Sequence, residues 1–224
     1  MRREPSIGKL SRHDLVWLTA AGWARAQATA GANAAAVEAF ARHDWPAVRR
    51  RREPGLDADL VSLGLPLPPA ADGSKRRCAI DVPQSAIARS ASPLPLAGIV
   101  AVAPPHWRAP LAALLADGER VMVRLSVFGS AAMQALTGER YLTARSDLDV
   151  LLRPASLADL HAGLALLLRH AAALPLDGEI VFPGGDAVSW KEWSGAHEQR
   201  VLVKHDDGVR LAPKAELLLT LGTR

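Results

Sequence analysis

Two aspartates, Asp147 and Asp149, stand one position apart in the apolar segment SDLDVLL. In a β-strand the side chains of residues i and i+2 project from the same face, so the two carboxylates would lie side by side while Leu148 and Val150 point into a core. Neighbouring carboxylates repel each other unless a cation lies between them. Magnesium binds through one or two carboxylates together with substrate phosphates, so the pair predicts a site for Mg²⁺ and a phosphate.

Gly129 and Ser130 supply the phosphate side of the same predicted site. They end the apolar segment that precedes the aspartates and begin a short predicted helix. Glycine lets the backbone come close to a ligand, serine offers a hydroxyl, and the N–H groups at a helix start favour phosphate. With the two aspartates, this predicts phosphoryl transfer in which the metal holds the reacting phosphate and the helix start holds the departing pyrophosphate.

The elements that must position these residues follow one another in the second half of the chain. We predict a helix over HWRAPLAALLADG that ends at Gly118, a strand over ERVMVRLSVFGS, a short helix over SAAMQALTG and a strand over SDLDVLLRP. A capping box of Ser156 and Asp159 begins the next helix. Strands over LDGEIVFPGG, DAVSWKEWSG and RVLVKHDDGVRL precede a final helix with Pro213 in its first turn. Together these elements predict a mixed α/β or α+β domain.

The first half of the chain is rich in proline and less regular. We predict a strand or short buried segment over HDLVWLTAAGW, a helix over residues 33–42 with Asn33 as its N-cap, and strands over RRCAIDVP and part of AGIVAVA. Residues 54–69 read as loop-rich. Proline clusters place a boundary between residues 1–108, a smaller α/β domain, and residues 109–224, which contain the predicted phosphate site.

The bulk composition limits the classes of function. The chain has 224 residues, a net charge of +4 and a pI near 9.7, which favours anionic partners without choosing among them. A single cysteine, Cys78, excludes an internal disulfide and a cysteine-based zinc site. Neither a signal-type segment nor an apolar run of membrane-spanning length is present, and no basic stripe is interleaved with aromatic residues. We therefore expect a cytoplasmic protein that binds neither membrane nor nucleic acid.

The order of an apolar strand, Gly-Ser, a spacer and Asp-x-Asp resembles the nucleotidyltransferase superfamily of the DNA polymerase β type. More narrowly, VFGSAAMQALTGERYLTARSDLDVLLRP resembles the phosphoribosyl-dephospho-CoA transferases, the holo-acyl-carrier-protein synthases of malonate decarboxylase. The segments RHDLVWL, WPAVRRR and LDGEIVFPGGDAVSWKEW are also similar to that family, over roughly residues 10–220 in all. The spacer TGERYLTARS is longer than in many nucleotidyltransferases, which fits the narrower family.

The resemblance implies a C-terminal catalytic domain over residues 109–224, with a mixed sheet of the nucleotidyltransferase type and flanking helices. Residues 1–108 would then form a domain for substrate or carrier recognition. It also implies a reaction: the 2'-(5''-phosphoribosyl)-3'-dephospho-CoA group moves from triphosphoribosyl-dephospho-CoA to a serine of the apo acyl-carrier subunit of malonate decarboxylase, and pyrophosphate leaves. Asp147 and Asp149 would hold one or two magnesium ions, while Gly129 and Ser130 contact the terminal phosphates. One of the aspartates could also help to deprotonate the serine.

A third carboxylate often stands on a neighbouring strand in that superfamily, and LDGEIVF offers Asp177 and Glu179. Their i, i+2 spacing lets both face the same way. Asp177 is preferred slightly, because Glu179 could instead pair with an arginine.

Five basic residues are further candidates for binding phosphate. Arg145 stands just before the aspartates, Lys191 and Lys204 fall in predicted late strands, and Arg49 and Arg50 begin a run of four arginines that could bind CoA phosphates or an acidic carrier protein. For each of them a solvated surface residue is the alternative, and for the two lysines an exposed position at a sheet edge is the commoner case.

Two other functions remain open on the sequence alone. One is a different nucleotidyltransferase that acts on a small molecule, an RNA or a protein. The other is a non-catalytic nucleotide-binding module that has kept the fold, although a degenerate copy has no need of paired aspartates.

Overall fold

The structure is a computed structural model that describes residues 9–70, 72–195 and 199–222. The chain divides into two compact units, residues 1–93 and 94–224. This division comes earlier in the chain than the boundary at 108/109 that composition predicts. The reason is that Leu94 and Pro95 already pair with the strand over residues 125–127, and Leu96 and Ile99 belong to the core of the second unit.

The first unit is an antiparallel sheet with two helices, which is an α+β arrangement. Its elements are β1 Leu15–Leu18, α1 Ala20–Thr29, α2 Ala34–Arg42, β2 Ala47–Arg49, β3 Leu60–Pro66, β4 Arg77–Pro83 and β5 Ile87–Ala91. The strands are ordered β4-β3-β2-β1-β5 in the sheet.

Two features of the first unit differ from the sequence-based expectation. Residues 60–66, predicted as loop, form β3, because the alternating residues Leu63 and Leu65 point into the core. The prolines do not interrupt this strand, since Pro66 is its last residue. Asn33 stands at the N-cap of α2 as predicted, yet its side chain makes no capping hydrogen bond, since a short 3₁₀ turn over Gly31–Asn33 leads directly into the helix.

The second unit is a mixed sheet flanked by helices, as predicted. The strands are β6 Leu94–Pro95, β7 Leu125–Val127, β8 Leu148–Leu152, β9 Leu176–Val181, β10 Ala187–Ser189, β11 Arg200–His205 and β12 Gly208–Pro213. Their order in the sheet is β12-β11-β10-β9-β8-β7-β6, with β8 and β9 parallel and the other pairs antiparallel. The helices are α3 Pro105–Arg120, α4 Gly129–Thr137, α5 Leu157–His170, α6 Trp190–Ser194 and α7 Lys214–Leu218.

Helix α5 makes the parallel pairing of β8 and β9 possible, because parallel strands need a crossover connection. The predicted capping box is present: Ser156 accepts a hydrogen bond from Asp159 N, and the Asp159 carboxylate accepts one from Ser156 N. The capping box therefore fixes where the crossover helix begins.

Several predicted element bounds need correction. Helix α3 does not end at Gly118, which is buried close to Leu166, but continues to Arg120, so that the following strand is confined to residues 125–127. The AGIVAVA segment forms a 3₁₀ helix over Leu96–Val102 instead of a strand. The segment DAVSWKEWSG changes from strand to helix at Trp190, whose buried ring belongs to the core.

The two faces of the large sheet differ in character. Leu148, Val150 and Leu152 of β8 point into the main core. The alternate residues Asp149 and Leu151 face the other side, as strand geometry requires. On that side Leu151 joins a small separate apolar cluster with Val181, Ala187 and the partly buried Phe128. Polar candidates on β8, β9 and β11 therefore share one face of the sheet.

No helix in the described parts of the chain combines the length and the apolar character needed to cross a bilayer.

Candidate functional site

The turn between β7 and α4 lies directly against the Asp149 carboxylate. The backbone N–H of Phe128 donates a hydrogen bond to the Asp149 carbonyl at 3.0 Å, which ties the turn to β8. Gly129 has a φ of +68°, and a β-carbon placed there would lie 2.2 Å from Asp149 Oδ2. Any side chain at this position would displace the carboxylate. Glycine is required here because the backbone lies close to the Asp149 carboxylate, whereas the close approach to a ligand stays a prediction.

Ser130 follows as the second residue of α4 and is half-buried. Phe128 occupies the N-cap position, and its side chain makes no capping hydrogen bond. The N–H groups and the dipole at a helix start favour phosphate. The structure therefore brings the Gly-Ser turn, with its capacity for phosphate, next to Asp149.

Asp177 is the register partner of Asp149 across the parallel pair β8–β9. Adjacent strands lie about 4.8 Å apart, and paired residues of parallel strands project from the same face. Directly after this pair, Gly178 has a φ of +129°, and a β-carbon built there would lie 1.9 Å from the Val150 carbonyl oxygen, so only glycine fits beside β8 at this position. Asp177 therefore stands beside Asp149, although 28 positions separate them in the sequence (177 − 149).

Asp147 lies one residue before β8 and is exposed, so the predicted strand begins later than expected. The preceding turn is well fixed. Ser146 Oγ accepts a hydrogen bond from Thr143 N at 3.0 Å, and Ser146 N donates to the Thr143 carbonyl at 3.1 Å. Directly after Asp147, Leu148 N donates to the Pro175 carbonyl at 2.9 Å. Asp147 is thus held between a turn and the first ladder bond of the strand.

Glu179 also faces this side of the sheet, but it already has a cationic partner. It is 6% exposed, and its Oε1 lies 2.9 Å from Lys204 Nζ on β11. A buried carboxylate is costly unless it is paired, and Lys204 meets that requirement. Glu179 therefore pairs with a lysine where an arginine had been considered, and Asp177 is the better placed of the two acids beside Asp149.

Lys191 lies at the edge of the same group of acids. Its Nζ is 3.6 Å from Asp177 Oδ1, and both side chains are about half exposed, at 53% and 42%. The structure thus places each of the two predicted lysines beside one of the two predicted acids on β9. Arg145 is exposed in the loop before Asp147, where its backbone N–H donates to Thr143 Oγ1.

Arg49 and Arg50 belong to the first unit. Arg50 donates to the Leu63 carbonyl and forms ion pairs with Glu53 and with Asp81. Arg49 donates to the Ser62 carbonyl at 3.3 Å. The guanidinium group of Arg50 is therefore engaged within its own sheet, and a role for either arginine in phosphate binding stays a prediction.

Among residues 9–70, 72–195 and 199–222, no three His, Cys, Asp or Glu side chains are grouped so as to hold a metal ion. A site that uses two carboxylates and completes its ligand set with substrate phosphates needs no such group, and magnesium often binds in this way. The carboxylate oxygens of Asp147 and Asp149 are donors that suit that ion.

Sequence reasoning missed Gln134, which links α4 to the loop before Asp147. Its Nε2 donates to the Val102 carbonyl at 3.1 Å, and its Oε1 accepts from Tyr141 N at 3.1 Å and Leu142 N at 2.9 Å. Burial raises the pKa of Tyr141 to about 12, so its phenol stays neutral at ordinary pH. The available signal was a lone amide in the otherwise apolar segment AAMQAL.

Comparisons with known proteins agree with this division of the chain. The first unit matches the family model of the phosphoribosyl-dephospho-CoA transferase MdcG N-terminal domain over residues 11–93, and the second matches the MdcG C-terminal domain over residues 95–215. A phosphoribosyl-dephospho-CoA transferase of Xanthomonas campestris pv. campestris is 41% identical over 208 residues, covering 92% of this chain and 95% of the relative. One of Bradyrhizobium diazoefficiens is 39% identical over 212 residues, covering 92% of each. No solved structure matches the chain.

Proposed function

The chain belongs to the phosphoribosyl-dephospho-CoA transferase family, a family of nucleotidyltransferase-type enzymes, and on that premise we propose the reaction that it catalyses. The phosphoribosyl-dephospho-CoA group would pass from triphosphoribosyl-dephospho-CoA to a serine of the apo acyl-carrier subunit of malonate decarboxylase. The serine oxygen forms a bond to the phosphorus next to the ribose, the bond from that phosphorus to the departing pyrophosphate breaks, and the serine proton is taken up by a base or by solvent.

One observation carries this proposal: the Gly129 backbone lies against the carboxylate of Asp149, which is the register partner of Asp177. A phosphate that approaches the start of α4 would necessarily approach these carboxylates. Because both are anionic, a cation is needed between them and the phosphate. This is the arrangement expected of a metal-assisted phosphoryl transfer.

Magnesium is the cation that fits these donors. Asp147 and Asp149 would hold it together with substrate phosphates, and hard oxygen ligands of this kind suit Mg²⁺. Asp177 is the candidate for a third carboxylate, because it is the register partner of Asp149. When bound, the ion would neutralise charge that develops on the transferred phosphate.

The protein's own groups would bind and orient the reactants. The N–H groups at the start of α4 and the Ser130 hydroxyl would bind the departing pyrophosphate. Lys191 and Lys204 would add positive charge at the same sheet face, since their ammonium groups lie beside Asp177 and Glu179. One of the aspartates would take the serine proton, as a carboxylate within hydrogen-bond reach can do.

The test is a transfer reaction with the purified full-length chain, Mg²⁺, triphosphoribosyl-dephospho-CoA and the apo carrier subunit. We expect the carrier to gain the mass of the phosphoribosyl-dephospho-CoA group and one pyrophosphate to appear per modified carrier. A carrier whose acceptor serine is replaced by alanine serves as the matched control and should gain nothing. Transfer of the group to a small molecule or an RNA with the carrier unchanged would overturn the proposed acceptor, and no transfer to any acceptor would overturn the proposed reaction.

A further inference from the structure

Gln134 holds together two segments of the second unit that each contribute to the candidate site. It lies in the middle of α4, the helix that begins with Gly129 and Ser130. Its amide oxygen accepts the N–H groups of two successive loop residues, Tyr141 and Leu142. The same amide donates through Nε2 to the Val102 carbonyl, which fixes its orientation.

The backbone N–H groups of Tyr141 and Leu142 require a hydrogen-bond acceptor because both residues are buried. Tyr141 and Leu142 are buried, at 3% and 7% exposure, in a stretch without helix or strand. A buried backbone N–H that loses its acceptor keeps the full cost of its desolvation. Gln134 therefore fixes the position of these two loop residues relative to α4.

The loop continues from Leu142, which is bonded to Gln134, to Asp147, the candidate metal ligand. The turn from Thr143 to Ser146 follows directly, closed by its own hydrogen bonds, and Asp147 is the next residue. From Leu142 to Asp147 the chain thus has little freedom, because the ladder of β8 fixes the residue after Asp147. The position of Asp147 relative to the Gly-Ser turn depends on the Gln134 hydrogen bonds at one end and on β8 at the other.

We infer that Gln134 is a positioning residue of the transferase reaction: it sets the distance between Asp147, which holds the metal, and the phosphate-binding start of α4. The inference rests on the proposed function. It differs from a purely structural role, in which Gln134 would stabilise the fold and leave metal binding and turnover unchanged once the protein is folded.

Two variants separate these roles. Gln134→Leu keeps the approximate size and removes all three hydrogen bonds, whereas Gln134→Glu keeps an acceptor oxygen for Tyr141 N and Leu142 N and loses the donor to Val102. Leu164→Ala, which removes packing from α5 at a partly buried position, is the control for an unspecific loss of stability.

The first measurement needs no substrate. Mn²⁺, used in place of Mg²⁺, should broaden the amide signals of Gly129 and Asp147 in the NMR spectrum of the wild type. In Gln134→Leu we expect the Mn²⁺ concentration for half-maximal broadening at Asp147 to rise, together with faster amide exchange at Tyr141 and Leu142. Gln134→Glu should lie between the two, and Leu164→Ala should match the wild type.

The second measurement is the transfer rate to the carrier as a function of Mg²⁺ concentration. Misplacement of a catalytic group by about 1 Å can cost on the order of 100-fold in rate, so a loss of about tenfold or more is expected for Gln134→Leu and partial recovery for Gln134→Glu. Wild-type behaviour of Gln134→Leu in Mn²⁺ broadening would overturn the inference, even if the rate fell. If the wild type transfers nothing to the carrier, the proposed function fails, and the Mn²⁺ comparison still decides the role of Gln134.

Discussion

The carboxylate of Asp149 occupies the space beside Gly129 where any other residue would carry its side chain: Oδ2 lies 2.2 Å from a β-carbon built on that glycine. The glycine therefore has two tasks. It allows the left-handed backbone at the start of α4, with a φ of +68°, and it leaves room for the acid.

The first prediction concerns Gly129→Ala. The added methyl group must displace the Asp149 carboxylate, so transfer activity should fall far more than stability does. Gly138→Ala, at the other end of α4, is the matched control, because its φ is +75° and nothing lies within 4 Å of its β-carbon. Both variants should lose about 1–3 kcal/mol of unfolding free energy from backbone strain. Equal transfer rates for the two variants would show that the contact with Asp149 is unimportant.

The second prediction assigns the third carboxylate. Asp177→Asn should lower the transfer rate and raise the Mg²⁺ concentration for half-maximal activity, by on the order of 10- to 100-fold, as for groups that support a metal site. Glu179→Gln, two residues along the same strand, should change the Mg²⁺ requirement much less, because Glu179 faces Lys204. Magnesium titrations of the two variants give the answer, and a larger shift in Glu179→Gln would reverse the assignment.

The third prediction concerns the stability of the Glu179–Lys204 pair. Removal of one partner from a fully buried pair costs roughly 3–5 kcal/mol, and a smaller loss, about 1–2 kcal/mol, is expected for Glu179→Gln. The loss is smaller because Lys204 is 40% exposed and reaches water. Urea unfolding followed by tryptophan fluorescence measures it. The double variant with Lys204→Met should recover part of the loss, and strictly additive losses would argue against a direct interaction.

The fourth prediction is a pH dependence of stability from the α3–α5 contact. The hydrogen bond with His170 Nε2, at 3.0 Å, lowers the pKa of the Asp117 carboxyl below its ordinary value of 3.8, with further help from Arg169 and Arg120. A carboxyl whose pKa is lowered by folding stabilises the fold fully above its unfolded value, and the stabilisation is lost as the pH falls through the folded value. The wild type should therefore lose stability below about pH 4, seen as a fall in its thermal unfolding midpoint. The midpoint of Asp117→Asn should fall less over the same pH range. Parallel curves for the two proteins would contradict this account of the contact.

The sequence predicted the parts of the site that lie close together along the chain. Gly129, Ser130 and the Asp-x-Asp pair were visible because glycine, serine and acids are unusual where apolar strands end. The mixture of helices and strands and the capping box of Ser156 followed from periodicity and residue type, whereas the mixed sheet was implied by the family resemblance. These signals are local, so a single segment carries them.

The remaining features depend on contacts between different segments of the chain, which the residue pattern within one segment does not predict. The pairing of Asp149 with Asp177 follows from the register of two parallel strands that α5 connects. Gln134 bonds to residues seven and eight positions away in an irregular loop, which no periodic pattern marks. Gly118 was read as a helix end, whereas it is buried within α3.

The most direct test of the central claim is the intact mass of the carrier subunit after incubation with Mg²⁺, the triphosphoribosyl donor and either the wild type, Asp147→Ala or Asp149→Ala. The wild type should add one phosphoribosyl-dephospho-CoA group to the carrier. Each variant should keep its folded circular dichroism spectrum and leave the carrier mass unchanged. Modified carrier from both variants at the wild-type rate would contradict the role given to these aspartates.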